Sequence, residues 1–160
     1  MRTQILSLLE GDARLTPHQI SIMLDVSIDE VNACIAELEA NGTILGYKAV
    51  VDWEKTNKES VSAMIDVKLT PQRGKGFDRV AEKIYNYPEV KSVYLMSGGY
   101  DLSVLIEGKT MKEVAFFVSQ KLAPIDEVIA TTTHFVLHKY KDTGVVYDAI
   151  LDIDERGNCN

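Results

Sequence analysis

Residues 90–108 read VKSVYLMSGGYDLSVLIEG. Two apolar, β-branched runs flank a glycine pair, and paired glycines tolerate the positive φ that a tight hairpin demands. The stretch is therefore expected to form two antiparallel strands that turn across Gly98 and Gly99. Working outward, VSAMIDVKLT (61–70) alternates with period two. Val61, Ala63, Ile65, Val67 and Leu69 share one face, and Ser62, Met64, Asp66, Lys68 and Thr70 share the other. PQRGKG (71–76) reads as a loop, after which Phe77, Val80, Ala81 and Ile84 recur at helical spacing up to Pro88. On the other side, TMKE (110–113) reads as a capping box with Thr110 as cap and Glu113 as its partner. It opens a helix expected to turn Val114, Ala115, Val118 and Leu122 inward, with Pro124 as the stop. EVIATTTHFVLHKYK (127–141) is a long, alternating, β-branched run and reads as a last strand.

The order strand, helix, strand, strand, helix, strand is that of the split βαβ, or ferredoxin-like, sandwich. Two helices cover one face of a four-stranded antiparallel sheet. The other face carries Met64, Tyr94 and Met96, and an apolar face without a helix is expected to bury itself against a second copy. DTGVVYDAILDIDERGNCN (142–160) is left over, and its apolar residues suit an added edge strand or helix.

The first 53 residues have a different period. TQILSLLEG is a short helix carrying Ile5, Leu6, Leu8 and Leu9 and ending at Gly11. In TPHQISIML, Thr16 is the N-cap, Pro17 suits the first helical position, and Gln19 completes a capping box. After the turn DVS, the stretch SIDEVNACIAELEANG (27–42) has Ser27 as cap and Glu30 as its partner. Val31, Ile35 and Leu38 form its buried stripe, and Gly42 ends it in the left-handed conformation. TILGYKAVVDW (43–53) holds two short strand-like pieces about Gly46, the wing of a winged helix-turn-helix. EKTNKES (54–60) reads as a polar linker. The fold class is α+β: a winged helix-turn-helix at 1–53, a linker at 54–60, a ferredoxin-like domain at 61–144 and an extension at 145–160.

Composition narrows the function. With 160 residues, 46% hydrophobic and 26% charged, the chain has room for one ordinary domain or two small ones. No apolar run approaches the roughly 20 residues that span a bilayer, and MRTQILSLLEGD meets carboxylates too early for a signal peptide. The cytoplasm is the expected compartment, with no membrane partner. Cys34 and Cys159 form no close pair, so neither a disulfide framework nor a metal site is expected. His134 and His138, placed on one strand, stand about 13 Å apart by the rise per residue, too far for one metal, and His18 has no partner. No serine, cysteine or carboxylate shows an activating neighbour, so the chain is not read as an enzyme.

The order of parts resembles the leucine-responsive and asparagine-regulator (Lrp/AsnC) family of prokaryotic transcription factors. The matching stretches are ILSLLEGDARLTPHQISIMLDVS, IAELEANGTILGYKAVVD, YPEVKSVYLMSGGYDLSVLIEG and THFVLHKYKDTG, reaching to about residue 144. LEANGTILGY and SGGYDL are the most specific pieces. The resemblance implies that the N-terminal module binds double-stranded DNA and that the C-terminal sandwich forms a homodimer, often assembled into higher homo-oligomers. It also implies an amino-acid effector at contacts between C-terminal domains, near Gly98, Gly99, Tyr100 and Asp101. No other cofactor is expected.

Two surfaces are thus candidate sites. For DNA, the third helix offers Ser27, Asp29, Glu30, Asn32, Ala33, Ala36 and Glu37 opposite its buried stripe. Asn32 suits adenine and the alanines suit thymine methyls. Lys48 on the wing is the better phosphate contact; Arg14 suits either a phosphate or a pairing with Asp12. Charge departs from the family pattern, which commonly places arginine or lysine at positions equivalent to Ala33, Cys34, Ala36 and Glu37. Residues 1–53 hold three basic residues against eight acidic ones, a net of −5 in a chain of −7. Cations on phosphates supply much of DNA affinity, so a second reading stands beside the first: an effector-sensing oligomer whose acidic module binds a protein partner. For the effector, backbone N–H groups at Gly98 and Gly99 suit a carboxylate and Asp101 suits an ammonium. Thr132, with Thr131 or Thr133, is expected to line the same cavity.

Overall fold

The computed structural model describes residues 1–71, 74 and 76–147. The chain divides into two compact units, one ending at Val50 and the other beginning at Val51.

The first unit is three helices, α1 (Arg2–Gly11), α2 (Pro17–Leu24) and α3 (Ile28–Ala40). Their starts are written in side chains. Thr16 Oγ1 accepts from the Gln19 amide at 3.2 Å while Gln19 Oε1 accepts from the Thr16 amide at 2.8 Å. Ser27 and Glu30 repeat the box at 3.2 and 2.9 Å. Between α2 and α3, Asp25 adopts a left-handed φ of +53°, a conformation that short polar side chains tolerate. Gly42 takes φ +73° after α3, and the Thr43 and Ile44 amides return to the Leu38 carbonyl. The core is Ile5, Leu9, Ile20, Val31, Cys34 and Leu38. Cys34 is buried where Ile35 was expected, and Ile35 is only half-buried. The stripe runs Val31, Cys34, Leu38, at spacings of three and then four, around the α1 side chains.

The expected wing strands are absent. Residues 45–52 form no ladder, and Trp53–Lys55 is a single 3₁₀ turn. Leu45 is 94% exposed, and Val50 and Val51 are also exposed. Leu45 and Val50 are thus little covered within the first unit, and an isolated two-stranded pair is marginal in water.

In the second unit, β1 (Val61–Leu69), β2 (Val90–Leu95), β3 (Leu102–Gly108) and β4 (Val128–Phe135) form one antiparallel sheet in the order β2-β3-β1-β4. This is the ferredoxin-like order. Ile65 faces Val104 and Val67 faces Leu102 across β1 and β3. Those side chains, with Ala63, Leu69 and Ile106, meet Val80 and Ile84 of α4 (Gly76–Tyr85) and Val114 and Phe117 of α5 (Met111–Phe117).

Four details differ from the sequence reading. Thr110 caps α5, but Glu113 accepts from the Lys109 amide at 2.7 Å and not from Thr110, so the box is not closed. Ala115 is exposed and Phe117 is buried in its stead; the larger ring fills the core and meets Tyr87 edge-on at 5.6 Å. A π-turn over Val118–Leu122 then keeps Leu122 buried, since five-residue spacing shifts the helix phase. The β2–β3 connection is a loop with the Met96 amide bonded to the Asp101 carbonyl, and of its two glycines only Gly98 has positive φ. Finally, β4 stops at Phe135, and the chain later makes a small hairpin of β5 (Lys141–Asp142) and β6 (Val145–Val146). His138 therefore does not share a strand with His134. The remainder of the extension, with Cys159, lies outside the described residues.

Two outcomes follow for stability. Thr16→Ala should destabilise the first unit by about 1 kcal/mol, and Ile65→Ala the second by about 2–5 kcal/mol, both read from denaturant midpoints. Hydrogen bonds from the Ser27 hydroxyl and then the Ser27 amide hold the Glu30 carboxyl below its usual range. The folded value is depressed, so this contribution is present above the ordinary carboxylate range and is lost as pH falls through the lowered value. Glu30→Gln should flatten that part of the acid limb; an unchanged limb would show that the box does not hold α3.

Candidate functional site

In the first unit, the side of α3 away from the core is continuous with solvent. Asp29, Glu30, Asn32, Ala33, Ala36 and Glu37 are all exposed, as is Ser27 at its cap. Its four carboxylates are less free than their number suggests. Glu30 is held by Ser27, Glu37 pairs with Arg2, and Glu39 accepts from the Tyr47 hydroxyl at 2.9 Å. Desolvation, and then the Glu39 carboxylate, push the Tyr47 phenol above its ordinary value, so it stays protonated and donates. Asp29 has no partner among the described residues. The Arg2 and Tyr47 contacts join residues far apart in sequence, and composition gave no sign of them. Lys48 is exposed beside a groove of about 500 Å³ lined by Leu6, Leu9 and Ile44. Arg14 is tied to Asp12 through its backbone amide at 2.9 Å, which leaves the guanidinium uncommitted to that carboxylate.

In the second unit, the expected effector residues gather at one end of the sheet. Gly98 and Gly99 are exposed at the loop tip. The Tyr100 hydroxyl and Thr132 Oγ1 lie 2.6 Å apart. Thr132 faces Asp66 across β1 and β4, on the face away from the helices, whereas Thr131 and Thr133 face Val67 and Ile65 on the covered side. Only Thr132 of the three is thus placed with Tyr100. Asp101 carries a structural duty: Oδ2 accepts from the Leu69 amide at 2.8 Å and stands 3.5 Å from the Lys68 ammonium. The Asp101 amide donates to the Val67 carbonyl. The loop is thereby clamped to the end of β1 by the residue expected to meet an ammonium.

Among the described residues, nothing covers the face of the sheet opposite the helices. Met64, Tyr94 and Met96 are about half-exposed. His134 Nε2 lies 3.2 Å from Asp66 Oδ2 on the same face, while His138 stacks edge-on with Tyr140 at 4.6 Å. Among the described residues no group of three or more His, Cys, Asp or Glu is placed to hold a metal ion. No helix among them is long and apolar enough to cross a membrane. A cavity of about 590 Å³ opens at the other end of β2 and β3, and nothing in the sequence pattern marked it.

The family model described as the Lrp/AsnC ligand binding domain matches residues 62–146, and one described as winged helix-turn-helix DNA-binding matches residues 2–44. An uncharacterized HTH-type transcriptional regulator of Bacillus subtilis, YugG, is 51% identical over 147 residues, covering 91% of this chain and 89% of that protein. Among solved structures, the fold is that of MtbAldR (TM-score 0.75, 24% identity, 88% of this chain and 94% of that one). A transcriptional regulator of Neisseria meningitidis, solved as an L-Met complex, has TM-score 0.71 and 24% identity over 90% of this chain and 93% of its own. These relatives are regulators and not enzymes. With both family models matched in chain order and a relative 51% identical over 91% of this chain, the chain belongs to the Lrp/AsnC family of HTH-type transcriptional regulators.

Proposed function

We propose that the chain acts as a sequence-specific DNA-binding regulator of transcription, as a homodimer or higher homo-oligomer in the cytoplasm, with an amino acid as effector. The observation that carries the DNA half is the free side of α3, where Asn32, Ala33 and Ala36 are exposed and Glu37 is paired with Arg2. Those groups suit base edges in the major groove, with Lys48 reaching a phosphate. A carboxylate already paired with arginine repels a phosphate less than a free one, so the acidic count overstates the penalty.

The effector half rests on the Gly98–Asp101 loop together with Thr132. The loop tip offers backbone N–H groups to a carboxylate, and Asp101, half-buried, offers charge to an ammonium. The N. meningitidis relative was solved with L-Met, which is consistent with this choice of ligand class. An effector held between C-terminal units would favour one assembly, and the assembly would fix the separation of the reading helices. Several modules on one DNA then multiply a weak single-site affinity.

The net charge of −5 over residues 1–53 favours one other reading, an N-terminal unit that docks on a protein. Gel shifts on the chain's own upstream region across a salt series separate the two. Log K should fall by about 0.9 per phosphate contact per log unit of salt, with a shallow slope of a few contacts. Ala33→Arg with Ala36→Arg should steepen the slope and tighten binding several-fold. No retained duplex even at low salt would favour the protein partner. For the effector, a thermal-shift screen of the common amino acids should give a hit that Thr132→Val removes. Asp101→Ala is a poorer probe, because it also strips the Leu69 amide of its acceptor.

A further inference from the structure

The four carboxylates of α3 are not in equal states. Glu30 closes the capping box with Ser27, Glu37 pairs with Arg2 of α1, and Glu39 accepts from the Tyr47 hydroxyl. Of the four, Asp29 alone has neither a hydrogen bond nor an ion pair among the described residues, and it is exposed. It also stands in the first turn of the helix. The N-terminal residues of a reading helix are those that reach base edges. The carboxylate left without a partner is therefore at the base-reading end.

Its neighbours along the helix suit close approach. At about 100° per residue, Val31, Cys34 and Leu38 centre the buried side of α3. Asp29, Ala33, Ala36 and Ala40 fall along the line opposite, and all four are exposed. Asn32 lies to one side of that line and is exposed as well. Three alanines let the helix backbone come near a groove floor, which a side chain as short as that of Asp29 needs in order to reach it.

The chemistry of the base edges then selects. An ionised carboxylate accepts hydrogen bonds and donates none. In the major groove guanine shows two acceptors, N7 and O6, and thymine shows O4 beside a methyl group, so both repel it. Adenine offers its N6 amino group, but the N7 acceptor stands next to it, and an amide with one donor and one acceptor fits that edge better. Cytosine offers its N4 amino group with no acceptor beside it on that edge. Arginine and lysine, the usual readers of a G·C pair, take it from the guanine. A carboxylate takes the same pair from the cytosine. On this chemistry the scarcity of cations on α3 changes the strand from which a G·C pair is read and does not abolish the reading.

We infer that Asp29 is a specificity-determining residue: its carboxylate accepts from the N4 amino group of one cytosine in the sequence that α3 covers, and excludes the other three bases there. Asn32, three residues further along, takes an adenine nearby through its amide. Glu30, Glu37 and Glu39 keep their internal partners and carry no base information. The inference rests on the DNA-binding reading of the first unit, for which the family model matched over residues 2–44 is the support.

The test uses the full chain and a pool of duplexes with a randomised segment, selected at one fixed salt concentration and sequenced. The wild-type protein should enrich a motif with one position at which cytosine dominates on one strand. Placing any other pair there in the selected duplex should weaken binding by about tenfold, read by fluorescence anisotropy. Asp29→Ala should bind the four versions of that position about equally and keep the preferences elsewhere. Asp29→Asn, whose amide donates as well as accepts, should admit guanine, thymine and adenine there. Glu30→Gln, which alters the cap and not the reader, should leave the cytosine preference in place. A motif with no position that Asp29→Ala relaxes, or an Asp29→Ala variant weakened on every sequence alike, would overturn the inference and leave sequence-specific binding standing. Exclusion of guanine and thymine that persists in Asp29→Asn would overturn it too, and that variant preserves side-chain size should the alanine fail to fold. A pool that stays random even at low salt would overturn sequence-specific reading itself, and this inference with it.

Discussion

Strand β1 lies between β3 and β4, so its two-residue alternation sets the side on which each neighbour lays its apolar residues. Ala63, Ile65, Val67 and Leu69 point to α4 and α5 and are essentially inaccessible. Met64, Asp66 and Lys68 must then point the other way. A shift of one residue in that register would put the isoleucine and valines into solvent and carry Met64 into the core. Two consequences reach the candidate sites. Thr132, opposite Asp66, is brought to the Tyr100 hydroxyl, and the uncovered side is left with Met64, Tyr94 and Met96. The core and the proposed dimer surface are thus two readings of one alternation.

The N-terminal unit presents the opposite problem, since its framework is well determined and its charge is not what a DNA-reading module ordinarily carries. Capping boxes at Thr16 and Ser27 fix where α2 and α3 begin, and the left-handed Gly42 fixes where α3 ends. Nothing in that scaffold requires the outer face to be basic. The acidic side chains on α3 are in large part bound internally, to Ser27, Arg2 and Tyr47. Exposed pairs of this sort add little to stability. Their effect is on the potential at the surface, where a paired carboxylate repels a phosphate less than a free one does.

Much of the fold was legible in the sequence, and the limits of that reading share one cause. Caps, periods and the glycine-bearing turn are encoded within a few residues of one another, and α1 to α4 and the four-stranded order follow from them. What required tertiary knowledge was lost. Strand pieces at 43–53 have the right composition but no neighbour in the unit to pair with. Phe117 displaces Ala115 from the core because the space there suits a ring beside Tyr87. At the hairpin, the residue types and their clustering with Thr132 were visible. The engagement of Asp101 with the Leu69 amide, 32 residues away, was not, and it changes what a substitution there would report. The cavity lined by Lys58, Glu89 and Lys109 was wholly invisible, since its walls come from segments that periodicity reads as unrelated.

In the proposed function, self-association through the Met64 face presents paired reading helices, and this pairing compensates for scarce cations. Sedimentation velocity of the full chain, with a labelled duplex from its own upstream region at physiological ionic strength, reads both the assembly and the bound DNA. The expected result is a dimer or larger species that carries the duplex, and a Met64→Asp variant that sediments as a folded monomer and releases it. A wild-type monomer, or a Met64→Asp monomer that holds the duplex as tightly as the wild-type protein does, would contradict it.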